Sequence, residues 1–123
     1  MLQGKSKITT ISAKLNQEEL ANAKVYILGA VHGYTVSDEE GCFSVRSLFG
    51  GKNKDWGDTP LQKIYDFYKN TEKLGHEEAA KRAAQDVGKL LRQVLNEDKY
   101  DYIEQSEAKP HQYHRTSAKS LHD

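Results

Sequence analysis

Cysteine occurs once, at Cys42, so no disulfide forms within the chain. Proline occurs twice, at Pro60 and Pro110, which leaves most of the chain free of obligatory helix breaks. Neither sign of charge is in excess: 18 basic side chains face 18 acidic ones. A chain so balanced has no global field to steer it onto nucleic acid or an anionic membrane, and any such binding must be local. No run reaches the ~18 apolar residues that span a bilayer. The opening MLQGKSKITT lacks the apolar stretch of a secretory signal. The expected location is the cytoplasm, with no membrane contact.

What is present is a polar chain, 37% hydrophobic with a mean hydropathy of -0.82. Its 123 residues suit one domain with a real core. The expected organisation is an extended arm or edge strand at 1–15, a single helical domain at 16–106 and a flexible, basic, histidine-containing tail at 107–123. The arm carries a β-branched patch, Ile8 to Ile11, that reads as one short strand or as an arm pairing with its copy in a dimer.

Asn16 followed by Glu19 spells a capping box and predicts a first helix at 16–33. Leu20, Ala23, Ile27, Val31 and Tyr34 form one apolar stripe, with Ala21, Val25 and Leu28 a second beside it. Ser44 predicts a short helix at 44–49. Thr59, Pro60 and Gln62 predict a second long helix at 59–74, ended by Gly75. From His76, the positions Ala80, Ala83, Val87, Leu90, Leu91, Val94 and Leu95 predict a third at 76–105. The fold class is all-α, or α with a minor N-terminal strand: a compact domain of three to four helices. Gly29 and Gly88 mark an expected helix crossing. These helices have more apolar arc than they cover for one another, so a homodimer is expected.

The 50–58 loop combines glycines with Lys52, Asn53, Lys54 and Trp56, the ingredients of a phosphate or nucleobase site. It matches neither a Walker loop nor a dinucleotide fingerprint, and a surface loop anchored by a packed Trp56 accounts for the same residues. Tyr113 and Arg115, with Lys109 and Lys119 nearby, make the tail mildly basic and aromatic, suited to nucleic acid or an acidic partner. His32 and Tyr65 are weaker candidates for a pocket wall near Trp56. His32 with Cys42 suggests a thiol dyad, against which stand a hydrogen-bonded, packed histidine and a small buried cysteine. Asp38, Glu39 and Glu40 lack the alternating spacing of a calcium loop, and His111, His114 and His122 lack a completing ligand. Ala84 and Gly88 share the spacing of a helix-turn-helix, but Lys89 stands where that turn wants an apolar residue.

No catalytic set, metal site or cofactor motif is therefore complete. The expected function is that of a small non-catalytic interaction protein, an adaptor or inhibitor with a protein partner, of the kind found among phage and mobile-element accessory factors. The alternatives are a nucleic-acid-binding accessory protein using the loop and tail, and a small-molecule or nucleotide binder near Trp56.

Overall fold

In the computed structural model, which describes residues 2–3, 8–37, 42–49, 56–105 and 112–116, Asn16 and Glu19 close the expected reciprocal cap. The Glu19 amide donates to Asn16 Oδ1 at 2.7 Å, and the Asn16 amide to Glu19 Oε1 at 3.1 Å. Helix α1 follows over Gln17–Ser37, a turn longer than expected. Ser44 and Ser47 cap α2, Val45–Phe49, in the same reciprocal way.

Helix α3 is short, Gln62–Asp66, and widens into a π-helical turn, Phe67–Thr71. Thr59 does not start it directly. Its hydroxyl donates to the Trp56 carbonyl at 2.7 Å and accepts from the Leu61 amide at 3.2 Å, so residues 59–61 form a turn ahead of the helix. Gly75 does not end it either: Lys73 takes the left-handed conformation there (φ 58), while Gly75 is extended and precedes α4.

Helix α4, His76–Glu97, runs without interruption through Ala84 and Gly88, so no helix-turn-helix forms there. It stops eight residues short of the expected end. The Asp98 carboxylate accepts the Lys99 amide at 2.8 Å, a local bond that competes with helix continuation. The chain then turns into strand β2, Tyr102–Gln105, whose residues alternate inward and outward.

The chain is mostly helical, as expected, but the expectation of no strand, or of one minor N-terminal strand, is corrected to a three-stranded sheet in the order β1–β2–β3. Strand β1 is Leu2–Gln3, not the Ile8–Ile11 patch, and pairs in parallel with Tyr102 and Ile103. Strand β3, Gln112–Arg115, lies within the segment expected to be a flexible tail; it pairs antiparallel with β2 and is bridged on its other side by Phe43. The core joins Ala23, Ile27 and Val31 of α1 and Leu61 and Ile64 of α3 to Val87, Leu90, Leu91 and Leu95 of α4. Tyr102 and Tyr113 close it from the sheet side.

Gly29 and Gly88 do not form a crossing. A Cβ at Gly88 would meet Val45 Cγ2 of α2 at an ordinary 3.8 Å, and one at Gly29 would meet nothing within 4 Å. Cys42 is exposed rather than buried. No described helix is long and apolar enough to cross a membrane.

One buried carboxylate joins three parts of this fold. Asp86, on the inner side of α4, accepts the amides of Ser12 (3.3 Å) and Ala13 (2.9 Å) and the hydroxyl of Tyr68 (2.5 Å). Burial, then the hydrogen bond to Asp86, pushes the Tyr68 hydroxyl well above the usual tyrosine range, so it stays a donor. Farther along α4, the Gln93 side chain donates to the Thr9 carbonyl at 2.7 Å, laying the 8–15 segment along this helix. Removing the carboxylate orphans three donors. Asp86→Ala is therefore expected to cost about 3 kcal/mol of unfolding free energy in a urea titration, and a loss below about 1 kcal/mol contradicts this role.

Candidate functional site

The sheet brings together residues that are distant in the chain. Two of the sequence candidates, His32 and Arg115, meet at a third side chain, Tyr100. The His32 ring stands edge-on to the Tyr100 ring with centroids 5.5 Å apart, and the Arg115 guanidinium lies 4.7 Å from the same centroid, in cation–π range. Lys99 adds its ammonium at 5.2 Å.

Beneath this aromatic sits Asp98. His32 Nε2 lies 2.8 Å from Asp98 Oδ2, and the Tyr102 hydroxyl donates to the same oxygen at 2.6 Å. Burial alone raises the Asp98 carboxyl, but the bonds from Tyr102, His32 and the Lys99 amide outweigh it and leave it below the usual aspartate range. Tyr102 is displaced upward, by its burial first and by Asp98 second. A histidine oriented by a carboxylate is half of a general-base arrangement. Here its carboxylate is shared with Tyr102 and its ring packs on Tyr100, so the group ties α1 to the α4–β2 junction.

A second polar pair lies deeper under the sheet. Arg92 of α4 donates to Glu104 of β2, both buried, and the Tyr113 hydroxyl hydrogen-bonds with the two of them. Burial raises the Tyr113 hydroxyl, which therefore remains protonated. An ion pair this deep costs desolvation and is retained for what it orients: Glu104 sets the inward face of β2, and Tyr113 sets that of β3.

The remaining candidates are placed apart from this cluster. The Trp56 ring is buried, its Nε1 donating to the Phe49 carbonyl at 3.0 Å. The Tyr65 hydroxyl is 2.8 Å from His76 Nδ1 on the surface. Lys52, Asn53, Lys54, the acidic turn at 38–40, Lys109, Lys119, His111 and His122 lie outside the described residues. His114 points to the outer face of the sheet, opposite Ile103. No group of three or more metal-ligating side chains occurs among the described residues.

Two open depressions flank α4. One, of about 600 Å³, is largely apolar and runs between the Ile8–Leu15 segment and Leu20, Gln93 and Glu97. The other, of about 470 Å³, is rimmed by Lys14, Lys81, Arg82 and Lys89 above Tyr68 and Asp86, with Glu72 and Glu78 among them. Arg82 is engaged by Glu78 at 2.9 Å and Lys89 approaches Asp86 at 3.8 Å, so opposite charges largely neutralise this rim.

The most distinctive surface belongs to α1. Between Leu20 and Thr35 its exposed residues are Ala21, Asn22, Val25, Tyr26, Gly29 and Gly33, none of them charged. Val25 is 70% exposed. The outer side of α4, by contrast, exposes Glu77, Glu78, Lys81, Arg82 and Gln85, the usual pattern for a solvated helix. The signal for this face was present in the sequence as the second apolar stripe. Asp98, Glu104 and Arg92 carried no comparable signal, because β2 read as a continuation of the helix.

Compared with protein-family models, with curated proteins and with solved structures, the chain has no match.

Two outcomes are expected from the polar cluster. Arg92→Met leaves Glu104 buried without its cation and is expected to lose about 3–5 kcal/mol, whereas Arg92→Met combined with Glu104→Leu is expected to be more stable than either single variant; a double variant at the sum of the two losses contradicts this. Asp98, depressed in the folded state, contributes stability that is present above its unfolded pKa of roughly 4 and is lost as pH falls through the lower folded value. Tyr102→Phe is therefore expected to flatten the acid limb of a stability-versus-pH curve, and an unchanged limb assigns that limb to other carboxylates.

Proposed function

We propose that this chain is a small non-catalytic interaction protein that binds a macromolecular partner through the outward face of α1. The observation that carries this reading is the uncharged arc from Ala21 to Gly33, in a protein with 29% charged residues. Surfaces that stay in water carry charge, and the centres of protein interfaces are depleted of it while enriched in aromatic side chains such as Tyr26. The polar clusters support the same reading from the other side. Asp86 and the Arg92–Glu104 pair are buried, Asp98 is half-buried, and all are bound to other parts of the fold, in the manner of groups that position elements.

Photo-cross-linking tests this in the cell where the gene is native, with benzoylphenylalanine in place of Tyr26. The expected result is a discrete protein adduct whose yield holds as salt is raised during extraction before illumination. Yield that collapses with salt and is abolished by nuclease indicates phosphate-dominated binding and favours the nucleic-acid alternative. Absence of any adduct, with the variant folded and expressed, removes α1 as the binding surface.

A further inference from the structure

We draw no further inference here: the strongest candidate, the apolar depression of about 600 Å³ between the Ile8–Leu15 segment, Leu20 of α1 and Gln93 of α4, is an open apolar face, and nothing in the structure shows what covers it.

Discussion

A carboxylate in the interior of a small protein is unfavourable unless donors replace the water it loses. At Asp86 those donors come from outside its own helix: two amides of the N-terminal segment and the hydroxyl of Tyr68 on the π-helical turn. The requirement runs both ways, since those donors are themselves shielded and need an acceptor. Burying Ala83, Val87 and Leu90 favours any close packing against α4, because apolar contact is non-directional. The hydrogen bonds at Asp86 select one packing, fixing where the 12–13 segment lies and how the Phe67–Thr71 turn is rotated. Six residues on, Arg92 does the corresponding work for the sheet by engaging Glu104. Helix α4 is thus a spine whose apolar residues supply cohesion and whose buried polar residues assign each neighbour its place.

Features that depend on neighbours in the chain were legible in the sequence. The Asn16–Glu19 cap, the Ser44 start of α2 and the amphipathic run of α4 each follow from residues within a few positions of one another. Features that depend on distant partners were not. The four residues of β2 alternate inward and outward, but Glu104 reads as an inward residue only once Arg92 is known to wait for it. Strand β3 looks like a polar tail until β2 and Phe43 take up its backbone on both sides. Thr59 and Gly75 do not bound the helix as their residue types suggest: Thr59 closes a turn ahead of it, and Lys73 takes the left-handed conformation more readily assigned to glycine. The sequence marks His32 for chemistry but not its partner Asp98, since that aspartate ends a helix expected to continue.

The polar and apolar faces of the molecule are inverted relative to a common arrangement, in which polar chemistry lines an open cleft and helices show charge to solvent. Here Asp86, the Asp98 carboxylate, Arg92, Arg115 and the hydroxyls of Tyr68, Tyr102 and Tyr113 are turned inward, and a helix at the surface presents small and apolar residues. Helix α1 has core contacts on one side through Ala23, Ile27 and Val31, and an unusually bare contour on the other. Lys24 reaches Glu97 at the surface and His32 reaches Asp98, so two side-chain contacts add to that packing in holding α1 against α4 and the residue that follows it. A rigid surface loses little conformational entropy on association, which favours binding by shape even where the contact is small.

The parallel pairing of Leu2 and Gln3 with Tyr102 and Ile103 bears on the order in which the protein assembles. Residues 2 and 102 belong to opposite ends of the described chain, so a ribosome completes all four helices before β1 has a strand to join. Contacts of such sequence separation carry a large loop-closure cost and form late unless other contacts have already shortened the loop. The helical core does that shortening, and the sheet closes over a body already formed. Until then the Arg92 guanidinium remains in water, and the arrival of Glu104 converts it from a solvated surface cation into a buried one. Completion of the sheet is therefore also the step at which the protein seals its charged interior.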